Sequence, residues 1–209
     1  MLHFKVITAP TKELLLTINQ QKDFDQFYLA GGTALALQLG HRKSVDLDFF
    51  SQNEFSNNLI HKFPQQYQVL NVFNNSIEII SAETKIMFFY FAFALHFPVI
   101  IQEKITLADP RDIGMMKLLA LQGRTTRKDI YDLYFIDQEI MPLENLLKIF
   151  ETFYPKDKFN QYSSFKTLLN DQELATQPDP IMLKDVVWEN ALELVREKLH
   201  KHLSQQIMS

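Results

Sequence analysis

The strongest constraint on the fold is a switch of hydrophobic period near residue 108. Upstream of it, YQVLNVF (67–73), IEIISAE (77–83) and IMFFYFAFAL (86–95) are apolar runs of strand length, rich in β-branched and aromatic residues. The short Thr84-Lys85 link between the last two suggests a hairpin. VDLDFF (45–50) alternates apolar and acidic residues with period two, and FYLA (27–30) is a short strand candidate. Helices are expected at 11–21, with Thr11 capping after Pro10; at 33–40, opened by Thr33 and closed by Gly40; and at 54–63. Downstream, 109–123, 126–139, 143–154 and 186–203 all carry helical spacing. The chain therefore reads as α+β: a mixed sheet with flanking helices over 1–108, then a helical domain over 109–209, with the boundary between Leu107 and Pro110.

Composition narrows the class of function. Apolar residues make up 46% of the chain and charged residues 22%, which fits a globular core rather than a disordered chain. Cysteine is absent, which removes disulfides, thiolate nucleophiles and Cys-ligated zinc and suits a reducing cytoplasm. The start, MLHFKVITAPTKEL, has no secretory-signal pattern. The run IMFFYFAFALHFPVII (86–101) is shorter than the roughly 20 residues a membrane helix needs, and His96 and Pro98 break it. It reads as a buried central strand, and no membrane partner is expected. A net charge of −4 gives the whole molecule no nucleic-acid footprint, so any contact with RNA or nucleotide must be local.

Two motifs carry chemistry. On a strand, residues i and i+2 share a face, so Asp46 and Asp48 project together while Val45, Leu47 and Phe49 face the core. Paired carboxylates repel unless a cation sits between them, and Mg²⁺ accepts one or two carboxylates plus phosphate oxygens. A half-exposed strand with two solvated acids is the alternative. In AGGTALAL (30–37) a strand enters Gly31 and Gly32 and then a helix, which lets backbone N–H groups approach an anion, with the helix dipole and the Thr33 hydroxyl adding to the grip. A tight turn with an ordinary Thr cap is the alternative here. Gly32-Thr33 and Asp46 stand about a dozen residues apart, room for two to three helical turns and a loop holding Ser44 and His41-Arg42-Lys43.

This combination resembles the polymerase-β-like nucleotidyltransferases, whose signature is Gly-Ser/Thr followed after about a dozen residues by Asp-x-Asp. LAGGTALALQLGHRKSVDLDFF is similar, more narrowly, to the AbiEii/AbiGii abortive-infection toxins. MMKLLALQGRTTRKDIYDLYFI (115–136) and DPIMLKDVVWENALE (179–193) extend the resemblance over nearly the whole chain. It implies a polymerase-β-like core followed by a helical carboxy-terminal domain. It also implies a Mg²⁺- or Mn²⁺-dependent transfer of NMP from an NTP to a hydroxyl on tRNA or protein. The biological setting would be a cytoplasmic toxin of a toxin–antitoxin or phage-defence system, with an antitoxin encoded by a neighbouring gene. Asp46 and Asp48 would hold the metal; Gly31, Gly32, Thr33 and Ser44 would grip phosphate. Lys117 would add charge to the triphosphate. Arg124, seven residues on, would share its helical face. Asp129 and Asp132, on one face of the next helix, would orient the triphosphate or pair with Arg127 or Lys117.

One departure stands out. The superfamily's third carboxylate should lie early in TKIMFFYFAFAL, which contains no acid; Met87 takes the place. Glu78, Glu83 or Glu103 are the possible substitutes. A degenerate nucleotide-binding module and a small-molecule (antibiotic) nucleotidyltransferase are the competing readings. Outside these motifs, no histidines have metal-ligand spacing and no serine has a nucleophile-elbow setting.

Overall fold

The computed structural model describes residues 1–121, 123–154 and 171–207. The helical expectation over 109–209 therefore extends onto residues 122, 155–170 and 208–209, which lie outside the described residues. The chain forms two compact units, Met1–Asp109 and Pro110–Ser209.

In the first unit, α1 (Ala9–Ile18) is followed by β1 (Tyr28–Ala30), α2 (Gly31–Leu39), β2 (Leu47–Ser51), β3 (Gln68–Phe73), β4 (Ser76–Ser81), β5 (Thr84–Tyr90), β6 (Ile100–Gln102) and β7 (Ile105–Leu107). Among the described residues these strands make one seven-stranded sheet in the order β3-β4-β5-β2-β1-β7-β6. The sheet is mixed: β2 pairs parallel with β5 and β1 parallel with β7, while β1–β2, β3–β4, β4–β5 and β6–β7 are antiparallel.

Alternation decides which face is core. Leu47 and Phe49 of β2, Ile86 and Phe88 of β5, and Ile77 and Ile79 of β4 are all at most 1% exposed. Phe49 stacks on Phe88 at 5.2 Å, and Phe24 and Phe27 each close on the same ring at 5.1 Å. Each such aromatic pair adds about 0.5–1.5 kcal/mol beyond the area it buries. Helix α2 is largely apolar, with Ala34, Leu35, Ala36 and Leu37 fully buried, as expected of a helix enclosed by its neighbours. The second unit packs α3 (Pro110–Ala120), α4 (Arg127–Glu139), α5 (Leu143–Phe153), α6 (Asp171–Thr176) and α7 (Trp188–Ile207). Ile113, Leu118, Ile130, Leu133, Ile136, Leu146, Phe150 and Val195 form its core. Among the described residues no helix is long and apolar enough to cross a membrane.

Several local expectations are corrected. The first helix begins at Ala9 with Thr8 as its cap, because Pro10 occupies the first turn, where its missing N–H costs nothing. Residues 54–63 contain a 3-10 helix at Asn57–Lys62 instead of an α-helix. The β4–β5 turn is made by Ala82 and Glu83, both at positive φ, so Thr84 and Lys85 belong to the strand. Strand β5 ends at Tyr90 and buries only alternate residues; its other face is open, and Phe89 there is 37% exposed against Phe50 at 5.8 Å. The strand lies inside the sheet, between β4 and β2, as expected, but it stops short of residue 95 and only one of its faces is covered.

Helix α2 closes at Gly40, whose left-handed φ of +68 turns its N–H to the Ala36 carbonyl at 2.7 Å. A Cβ there would lie 2.7 Å from the His3 ring. Left-handed strain of about 1–2 kcal/mol adds to that clash. Gly40→Ala is therefore expected to lower the melting temperature by roughly 5–10 °C, read by circular dichroism; an unchanged melt would contradict the cap.

Candidate active site

The site begins where β1 meets α2. Ala30 precedes the helix without any side-chain cap, since a methyl group has nothing to offer the first N–H groups. Gly31 follows at φ +64, and a Cβ on it would lie 2.6 Å from Asp48 Oδ2. The pairing register explains the contact, because Ala30 and Asp48 are direct partners across β1 and β2. The Asp48 carboxylate thus fills the space that any other residue at position 31 would occupy. It stands at the first turn of α2, where the helix dipole favours negative charge.

Thr33 does not cap. It lies inside the first turn, 1% exposed, and its hydroxyl donates to the Asp46 carbonyl. Having one proton, it must accept from Ser44 Oγ, 2.7 Å away. Buried Arg42 sits behind, with Nη1 donating to the Lys43 carbonyl at 3.0 Å and lying 3.5 Å from Ser44 Oγ. This chain of bonds ties α2 to the backbone that delivers Asp46. Asp46 itself lies one residue before β2, and both aspartates are half-buried. Val45 is 54% exposed, so the expected core face shrinks to Leu47 and Phe49. The inward strand pattern starts only where pairing starts.

The register identifies the neighbours. Asp48 is paired with Met87, Met87 with Glu78, and Glu78 with Asn71, so these residues of β2, β5, β4 and β3 share one face. Lys85 stands one step before the paired Leu47 and Ile86, beside Asp46. Its ammonium bridges to Glu78 Oε1, while Asn71 Nδ2 donates to Glu78 Oε2 at 2.5 Å. The hydrogen bond from Lys85, then that from Asn71, holds the Glu78 carboxyl below its usual range against the effect of burial. Lys85 is raised, first by its bond to Glu78 and then, against burial, by the charges of Glu78, Asp46 and Asp48. Of the possible third carboxylates, only Glu78 lies in this row. Glu83 sits in the β4–β5 turn, and Glu103 sits in the β6–β7 turn, where it accepts from the Leu2 N–H at 3.1 Å. Sequence reading missed Lys85 because it placed that residue in the turn.

Among the described residues no group of three or more His, Asp or Glu side chains converges as a metal site. The aspartate pair, half-buried and seated against a helix start, still fits a hard cation that draws its other ligands from phosphate and water.

In the second unit, Lys117 is 8% exposed and its ammonium lies 2.8 Å from Asp129 Oδ1 and 2.6 Å from Asp132 Oδ2. Asp129 also completes a capping box, its Oδ2 accepting from the Thr126 hydroxyl at 2.7 Å. Burial pushes the Asp129 carboxyl up, but the charge and hydrogen bond of Lys117 and the bond from Thr126 outweigh it and leave it lowered. Arg124 does not share a helix with Lys117: α3 ends at Ala120, and Arg124 is exposed in the link to α4. Arg127 stacks over Trp188 at 4.0 Å and bridges to Asp179 at 3.0 Å.

Comparison with known proteins gives the following. Residues 13–101 and 94–207 match the sequence pattern of a family described as nucleotidyl transferase AbiEii toxin, type IV toxin–antitoxin system. The chain is 31% identical over 137 residues to the uncharacterized protein aq_aa25 of Aquifex aeolicus (strain VF5). That match covers 59% of this chain and 66% of the relative, just under two thirds of its length. The crystal structure of JHP933 from Helicobacter pylori superposes with a TM-score of 0.56 at 17% identity, over 95% of this chain and 92% of that one. MenT4, a nucleotidyltransferase toxin from Mycobacterium tuberculosis H37Rv, gives 0.57 at 14% identity, over 92% and 84%. At these identities the two structures show a shared fold: a mixed sheet with flanking helices.

Two outcomes are expected. Lys117→Met takes from Asp132, whose side chain is fully buried, the ammonium 2.6 Å away, and should cost about 3–5 kcal/mol in urea unfolding. The lowered Asp129 contributes stability that is present above its unfolded value, near 4, and lost as pH falls through its lower folded value. Asp129→Asn should therefore remove part of the acid-induced loss of stability; an unchanged profile below about pH 4 would refute that assignment.

Proposed function

The chain belongs to the AbiEii family of nucleotidyl transferase toxins, and from that premise we propose that it transfers a nucleoside monophosphate from an NTP to a hydroxyl acceptor on tRNA or protein. The observation that carries the reading is the aspartate pair, with Asp48 in the space over Gly31 at the start of α2. Asp46 and Asp48 would hold a divalent cation, Mg²⁺ or Mn²⁺, which supplies charge neutralisation for the triphosphate. The backbone N–H groups of Gly31, Gly32 and Thr33, left uncapped by Ala30, are the proposed phosphate donors. Thr33 and Ser44 serve this site by fixing the backbone at Asp46, since their hydroxyls bond each other and the Asp46 carbonyl. In the transfer the acceptor oxygen bonds to the α-phosphorus, the bridge to the β-phosphate breaks, and pyrophosphate leaves with the electron pair. The hydroxyl proton is released to water.

Within the helical unit, Lys117 is engaged by two aspartates, Asp129 and Asp132. Its proposed role is to orient α3 against α4; exposed Arg124 is the better cation for an anion in solution. The expected partner is the antitoxin of a type IV system, and phage defence is the proposed setting. A second reading, a nucleotide-binding module without catalysis, is favoured by one observation: Met87 stands beside Asp48 where a carboxylate would complete the site.

Incubation with each labelled NTP, Mg²⁺ or Mn²⁺ and total cell RNA or protein tests the proposal. Labelled product is expected, and Asp46→Asn or Asp48→Asn should lower its rate by about 10³-fold, the several kcal/mol that a bound metal contributes to such a transition state. Binding of NTP without any product would favour the second reading.

A further inference from the structure

Lys85 is a charged side chain beside the aspartates to which the proposed reaction gives no part. It stands on β5 next to Asp46, in the same row as Met87 next to Asp48. Glu78 from β4 binds its ammonium, and Asn71 from β3 binds the other Glu78 oxygen, so three strands fix where the charge sits. The Lys85 side chain is half exposed, within reach of a ligand on the open face.

Asp46 and Asp48 together carry −2, which one divalent cation neutralises. A second divalent cation held by the protein itself would need a further carboxylate facing the pair. The residue beside Asp48 is the neutral Met87, and the nearest acid of the row, Glu78, has both oxygens engaged. The residue beside Asp46 is itself a cation.

We infer that this site takes a single divalent cation and that the Lys85 ammonium, held by Glu78 and Asn71, supplies the second positive charge to the bound triphosphate or acceptor oxygen. The inference rests on the reading of Asp46 and Asp48 as the metal-holding pair. Glu78 is then a positioning residue that keeps Lys85 aimed.

The test is Mn²⁺ titration of the full chain, followed by electron paramagnetic resonance and calorimetry, with the α,β-methylene analogue of each of the four nucleoside triphosphates. The Asp46→Asn/Asp48→Asn double variant sets the background. One Mn²⁺ per chain above that background is expected for the wild type. Lys85→Met should weaken analogue binding about tenfold or more, the scale of a lost charge-assisted hydrogen bond, and Lys85→Arg should restore most of it. Lys85→Met/Met87→Asp, which removes the ammonium and adds the carboxylate, should bind two. Two ions on the wild type, or a Lys85→Met variant that melts like wild type and keeps full analogue affinity, would overturn the inference. No ion above background would instead overturn the reading of the aspartates, and this inference with it.

Discussion

The first unit is organised by a carboxylate occupying the place of a side chain. Asp48 Oδ2 lies where a Cβ on Gly31 would be, and Gly31 can tolerate this only because its φ is left-handed and it has no Cβ. Both halves of the arrangement follow from pairing, since Ala30 and Asp48 are opposed on adjacent strands and the next residue must turn sharply to start α2. Remove the glycine and the strand, helix and acid can no longer meet at one point. The bond from Thr33 to the Asp46 carbonyl closes the same triangle from the other side. The position of the acid pair is thus set by backbone geometry and two hydroxyls rather than by long, flexible side chains.

The two units use their lysines differently. Lys117 is enclosed by Asp129 and the fully buried Asp132, an ion-paired group held away from water. Lys85 is half exposed and its ion pair with Glu78 is screened, so the pair contributes little to stability. What it contributes is direction, because Asn71 anchors the far side of Glu78.

Much of this was legible in the sequence where short-range periodicity decides the outcome. Period two placed Asp46 and Asp48 on one face, and β2 follows that pattern from Leu47 onward. The spacing of Gly31 and Gly32 from those acids pointed to a strand, helix and returning strand, and the chain has them in that order. What was not legible depended on partners distant in sequence. A hydroxyl near a helix start can cap or turn inward, and Thr33 turns inward because Ser44 and the Asp46 carbonyl wait eleven and thirteen residues away. Lys85 was hidden because Ala82 and Glu83 lack the Gly, Asn or Asp signals of a hairpin turn yet adopt positive φ. Arg124 was separated from Lys117 because α3 stops at Ala120.

The sheet order has a consequence for when the acid pair can exist at all. Strand β2 is flanked by β1, its sequence neighbour across α2, and by β5, which reaches it only after the β3–β4 segment has been made. Until β5 docks, one edge of β2 is an open ladder and the row running from Asp48 to Asn71 has no middle. Closing that longer loop costs more chain entropy than closing the shorter one across α2. A growing chain on the ribosome therefore holds both aspartates long before it holds the surface around them. The geometry of the site is complete only once the strand carrying Lys85 and Met87 has emerged.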